Sequence, residues 1–241
     1  MDVQTLVIFG GMVFAASLIN GVSGFGFGIV VLMVFPYIFG YTHAVAMAVM
    51  MATMLVCYNA YLYRKHINWT WILPWSLLCF VSDFFAIRFL KQMGDGPLVM
   101  KLLGGCFILM AVYLLWGQKF IKVRASYTSM SVLAILSGLI QGAFGVGGPL
   151  MAAFFLVVCK SKEEYIGTLQ MASVTTFGVD LIMRAANGMI DATVLSYSAL
   201  GIVFILAGLF VAKKLVSHLS ATHLKTIVCV LMLFSGINML I

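Results

Sequence analysis

Apolar residues run in long blocks along this chain, and polar residues collect in the short gaps between them. The blocks are roughly 5–39, 42–63, 70–90, 98–117, 127–159, 165–186, 193–213 and 222–241. Six of them are about 20 residues long, the length of a helix that crosses a hydrocarbon core. Blocks 5–39 and 127–159 are too long for that. As unbroken helices each would rise about 50 Å against a core of about 30 Å. The pattern predicts an all-α integral membrane protein in which both long blocks are broken.

Glycine supplies the breaks. The first long block contains Asn20-Gly21-Val22-Ser23-Gly24-Phe25-Gly26-Phe27-Gly28, and the second Gln141-Gly142-Ala143-Phe144-Gly145-Val146-Gly147-Gly148-Pro149. Asn20, Gly21, Gly24 and Gly26 align with Gln141, Gly142, Gly145 and Gly147 at a constant offset of 121, half the chain. The later blocks also fall at matching places. This is an internal duplication, 1–120 and 121–241, joined by the basic segment Lys119–Arg124. The first repeat would hold hairpin 5–39 and spans 42–63, 70–90 and 98–117. The second would hold hairpin 127–159 and spans 165–186, 193–213 and 222–241.

Composition agrees with a membrane class. Hydrophobic residues make up 63% of the chain and charged ones 9%, with a mean hydropathy of +1.14. Soluble domains run near 25% charged, so a water-soluble enzyme, a nucleic-acid reader and a disordered chain are excluded. The N-terminus has no basic residue ahead of its apolar block, so no cleaved signal peptide is expected. The net charge of +7 comes from basic residues that sit mostly in the gaps. If each long block crosses once, these divide about evenly between the two sides. If each is a hairpin returning to its own side, Arg64, Lys65, Lys119, Lys122, Arg124, Lys160, Lys162, Lys213, Lys214 and Lys225 share one side. Arg88, Lys91, Lys101 and Arg184 take the other. That split obeys the positive-inside rule. Each arm of a hairpin, about 15 residues before the glycines and about 11 after, is then too short to span. Three spans per half are an odd number, so the repeats are inverted. Both termini are expected outside a cell membrane, in a multi-pass protein.

A helix interrupted inside lipid bares backbone N–H and C=O groups and survives only against a protein-lined or wet cavity. The helix that restarts turns its free amides and positive dipole end toward that cavity, a setting that binds anions. Two such breaks related by pseudo-symmetry mark the expected substrate site of a transporter. The candidate binding residues are Asn20, Ser23, Gly24, Gly26, Gln141, Gly145, Gly147 and Gly148. Asn20, Ser23 and Gln141 add neutral polar contacts.

Ionisable residues inside the blocks are costly and form a second set of candidates. Asp180 and Arg184 are four apart on one helix face, the spacing of an ion pair. Asp83 is hydrated from the outer side, pairs with Arg88, or couples a proton or cation to transport. Asn59 holds the place of Asp180 in the first half without a charge. The five cysteines are scattered, with no CxxC, and read as membrane-core thiols. His218 and His223 have the wrong spacing for a metal on one helix face. No metal, cofactor or nucleic acid is expected, and no catalytic motif is present, so the chain is not read as an enzyme. Asn68-Trp69-Thr70 is a glycosylation sequon on the expected inner side, where it stays unmodified. Ala44, Ala48 and Ala52 form a small-residue stripe for helix contact, with Met47, Met50, Met51 and Met54 as filler on the same helix. Trp69, Trp71 and Trp75, with Tyr58, Tyr61 and Tyr63, read as an interfacial aromatic belt.

The segments NGVSGFGFG and QGAFGVGGP, each near the start of one of two similar halves, resemble the TauE/SafE family of sulfite exporters. The resemblance covers essentially the whole chain. It implies a secondary transporter for small sulfur oxyanions or organosulfonates, working by alternating access between the repeats. The first motif lacks the Gly-Gly-Pro of the second, so the two halves of the site would contribute unequally. The partners implied are a small sulfur-containing anion and the lipid bilayer; a homodimer is left open. A passive anion channel, a transporter of the same fold for another small solute, and a non-transporting anchor subunit are the alternatives.

Overall fold

The computed structural model describes residues 3–117, 123–215 and 221–241. The side chains of Ser23, Leu215 and residues 221–225 lie outside that description, as do Lys119, Lys122 and His218; the expectations for Ser23, His223 and Lys225 fall there too. The described residues are mostly helical: α1 (Val3–Ser23), α2 (Phe27–Leu32), α3 (Phe35–Phe39), α4 (Tyr41–Leu62), α5 (Trp69–Met93), α6 (Pro97–Val112), α7 (Tyr127–Phe144), α8 (Gly148–Val158), α9 (Lys162–Ala186), α10 (Ala192–Leu215) and α11 (Ala221–Leu240). A π-helical turn, Tyr113–Gly117, extends α6. Seven of these helices are long and apolar enough to cross a bilayer. The chain is a multi-pass membrane protein.

Both long apolar blocks are broken at the glycines. α1 stops at Ser23, and the chain turns through Gly24 and Gly26, with φ of 81° and 101°. α7 stops at Phe144, with Gly145 at φ 68°. A side chain at these three angles clashes with its own backbone, which is why glycine occupies them. After each break the chain doubles back. The ring of Phe9, in the second turn of α1, stacks on Phe35 of α3 at 5.2 Å. In the second half Trp71 touches Tyr127 at the start of α7 (5.1 Å) and Phe154 just past the middle of α8 (5.4 Å).

The leading arms are longer than expected from the sequence. α1 has 21 residues and α7 has 18, enough by length to cross. Asn20, Gly21, Gln141 and Gly142 are still helical, because only a positive-φ glycine ends the hydrogen-bond ladder. The trailing arms also differ from each other. α8 is one helix of 11 residues. Its counterpart is divided at Met33 and Val34 into α2 and α3, and Pro36, near the start of α3, has no amide to carry a helix across.

Close packing follows small residues. Gly138 and Gly142 of α7 bring its backbone onto Cys79 and Asp83 of α5: a Cβ at either would come within 2.7 Å of a carbonyl oxygen there. Gly208 of α10 lies equally near the carbonyl of Phe14 in α1. In both pairs the helices run parallel. The pair α6 and α11 crosses where Gly104 meets Gly236 and Met239 while Ile108, one turn on, reaches back to Gly236, so these helices run antiparallel. Ala44, Ala48 and Ala52 are buried in the main core with Met47 and Met51, while Met54 is exposed. Trp69, Tyr58 and Tyr61 are exposed, but Trp75 departs from the belt reading: it is fully buried, stacked on Phe154 at 5.4 Å.

Candidate functional site

The two breaks meet. A Cβ on Gly28, just past the first, would stand 3.0 Å from the carbonyl oxygen of Gly145 in the second. Between them lies a cavity of about 40 Å³ lined by Asn20, Gly24, Gly26, Gly145, Gly148 and Ser173, with Phe25, Phe177 and Leu169 among its apolar walls. α8 points its N-terminus at this space. Gly148 and Leu150 have no intrahelical acceptor for their amides, and Pro149 between them has no amide to place. α2 presents an end of the same kind but is only six residues long, so its dipole is weak.

A vestibule of about 580 Å³ leads to the first break. Asn20, Gly24 and Leu169 line both spaces. Its walls carry Asn59, Tyr63, Tyr165 and Gln170, and Lys162 and Lys213 stand exposed on its rim. The same end of the bundle holds Arg64 and Lys65 in a loop whose Asn68 bonds Thr168 and Glu164 at 2.9 and 2.8 Å. Arg64, Lys65, Lys162 and Lys213 outnumber Glu163 and Glu164 at this end, a balance that favours anions at the mouth.

Behind the second break lies a buried polar cluster. Gln141 braces the turn: its Oε1 accepts from the Gly147 amide at 2.9 Å, and its Nε2 donates to Asp180 at 3.1 Å. Arg184 donates through Nε to the other oxygen of Asp180 at 2.6 Å and through a terminal nitrogen to the Gly142 carbonyl at 2.7 Å. The Tyr41 hydroxyl donates to the Ala143 carbonyl, and Ser137 to the Gly147 carbonyl at 2.8 Å. The last carbonyls of α7 are thus capped by a guanidinium and a phenol, as the negative end of a helix favours. Asp180 and Arg184 are 0% and 3% exposed. A pair so deep in an apolar surrounding needs hydrogen bonds beyond its own contact, and here Gln141 and the Gly142 carbonyl supply one to each partner.

Asp83 corrects two expectations. It is 2% exposed, so it is not hydrated from outside. It faces Gly142 rather than Arg88, which is exposed. Residues five apart on a helix point to different faces, and among the described residues Arg88 makes no ion pair. Asp83 Oδ1 has no hydrogen-bond partner.

Asn20, Gly24, Gly26, Gly145 and Gly148 therefore share the cavity. Gln141 and Gly147 stand behind it and hold its shape. Sequence reasoning missed Gln170 and Ser173. Both lie in an amphipathic stretch of α9, where nothing in the spacing separates a lining residue from a buried one. It also missed Tyr41, which acts on the break from 102 residues away, and Ser137, which bonds the Gly147 carbonyl from within α7.

No curated protein and no solved structure matches the chain. The family described as sulfite exporter TauE/SafE matches residues 9–239. With the match running almost end to end, the chain belongs to the TauE/SafE sulfite exporter family of membrane transporters.

Proposed function

We propose that the protein exports small sulfur oxyanions or organosulfonates of the sulfite type, bound where the two broken helices meet. The observation that carries this reading is the approach of Gly28 to Gly145 across a cavity that opens into a vestibule with a lysine-bearing rim. The amides at the start of α8 take the anionic oxygens, and the glycines let the backbone come within reach. Asn20 contributes a neutral contact, which suits a ligand that must leave again.

The halves act as inverted repeats. In support, α6 and α11 hold corresponding places and run antiparallel, and each leading hairpin arm lies parallel to the third long helix of the other half. With the basic end of the bundle placed in the cytoplasm and both termini outside a cell membrane, the vestibule is the inner entrance. Transport proceeds by rocking of the repeats, which closes the vestibule and opens the opposite side. An inside-negative potential of 100 mV drives each negative charge outward by about 2.3 kcal/mol, so export needs no coupled ion.

The test is efflux of labelled sulfite from proteoliposomes under an imposed potential. Saturable, potential-driven efflux supports a carrier. Efflux linear in concentration with large unitary conductance identifies a channel, and no efflux by the purified protein ends the proposal.

A further inference from the structure

Gln170 sits on α9 at the floor of the vestibule and is 1% exposed. Its Nε2 donates to the carbonyl of Gly24 in the first break at 3.0 Å. A carbonyl can only accept, so this bond fixes which end of the amide is which. The other end, Oε1, is buried with no partner. Asn20 lines the same floor at 5% exposure, and its Oδ1 is likewise without a partner.

Two unpaired acceptor oxygens beside one break are the wrong complement for a bare oxyanion. Each is costly when it is buried and left unpaired. An anion with only lone pairs to offer would add repulsion to that cost. A ligand with a proton to donate removes it. Resting on the transport reading above, we infer that the substrate is a singly charged sulfur oxyanion that brings its own O–H or N–H donor. Gln170 Oε1 and Asn20 Oδ1 read that donor, while the α8 amides hold the anionic oxygens. Hydrogen sulfite and hydroxyl- or amino-bearing sulfonates belong to this class; the sulfite dianion, sulfate and alkyl sulfonates do not. Gln170 is a specificity-determining residue.

Sulfamate and methanesulfonate test this directly. Both are monoanions of nearly the same shape, and they differ in NH2 against CH3. In competition with labelled sulfite in proteoliposomes, sulfamate is expected to inhibit wild type at a concentration at least about tenfold lower. Gln170→Met should bring the two inhibitors together by weakening sulfamate. Equal inhibition of wild type by both compounds overturns the inference, and an unchanged preference in Gln170→Met overturns the role of Gln170. If wild type moves no sulfite, the export proposal fails by itself. The ligand preference is then read from thermal stabilisation of the purified protein by each compound, where no preference for sulfamate is again the refuting result. Should Gln170→Met fail to insert, the wild-type comparison alone decides.

Discussion

Gly28 and the Gly145 carbonyl touch so closely that a Cβ at position 28 would stand 3.0 Å from that oxygen. Neither backbone can retreat without moving a broken helix, so Gly28→Val is expected to push the two breaks apart. Sulfite efflux should fall more than tenfold while protein remains in the membrane. Gly105, on α6, has open space where a Cβ would stand, with no atom within 4 Å, and serves as the control. Gly105→Ala should keep transport and gain roughly 0.5–1 kcal/mol from helix propensity. Efflux assays beside thermal unfolding in detergent separate the two outcomes.

Gly145 probes conformation as well as space. Its φ of 68° and the Val49 methyl 2.9 Å from a Cβ there both exclude a side chain. Gly145→Val should abolish efflux. Gly24→Ala differs, because its nearest neighbour, Leu169, lies 4.0 Å away. Its cost is backbone strain alone, about 1–2 kcal/mol, so it should fold and transport more slowly. A Gly24→Ala variant with wild-type turnover would count against the first break as a site.

The Asp180–Arg184 pair holds the end of α7 through the Gly142 carbonyl. Arg184→Gln leaves a buried carboxylate without its cation, a loss of about 3–5 kcal/mol. Adding Asp180→Asn removes the stranded charge, so the double variant is expected to be more stable than Arg184→Gln alone. A double-mutant cycle by thermal unfolding measures that coupling. Asp83→Asn, by contrast, should leave potential-driven sulfite efflux nearly intact, because export as proposed needs no proton. Efflux that stops in Asp83→Asn assigns Asp83 to coupling instead.

The membrane class, the helix blocks and both breaks were legible because lipid imposes a length and glycine a backbone angle, and each leaves a mark in one dimension. The Asp180–Arg184 pair was legible for the same kind of reason, a four-residue spacing on one helix. The position of Asp83 was not. Its neighbour Gly142 is 59 residues away, and only the packing of α5 against α7 decides that it faces inward. Gln141 shows the limit most clearly. The offset of 121 marks it as the equivalent of Asn20, yet it turns away from the cavity to brace the Gly147 amide, because Asp180 and Arg184 lie behind it and Asn20 has no such cluster. Trp75 looked interfacial by its neighbours Trp69 and Trp71, but helix rotation places it on the buried face.

Asp191 gives a pH test outside the membrane-spanning helices. It precedes α10 and accepts from the Val194 amide at 2.8 Å, with His43 at 3.2 Å from its other oxygen. The Val194 bond first, and His43 less, hold its carboxyl below the usual carboxylate range. A depressed folded-state value means the stabilisation is present above the unfolded value and lost as pH falls through the folded one. Asp191→Ala should therefore lower Tm at neutral pH, with the gap to wild type closing in acid. A gap independent of pH would deny the ionised cap.

The vestibule rim offers the last test. Lys162 and Lys213 line the mouth and are exposed, so their attraction for an anion is long-range and screened by salt. The double variant Lys162→Gln, Lys213→Gln should slow capture rather than turnover. KM for sulfite should rise, up to about tenfold at low salt, with kcat little changed. The Debye length shrinks from about 10 Å at 0.1 M salt to about 3 Å at 1 M, so wild type should converge on the variant as salt is added. Initial rates across a salt series in oriented vesicles check this. A KM that rises equally at all salt concentrations would mean the lysines contact bound substrate, and would move the binding site outward from the breaks to the rim.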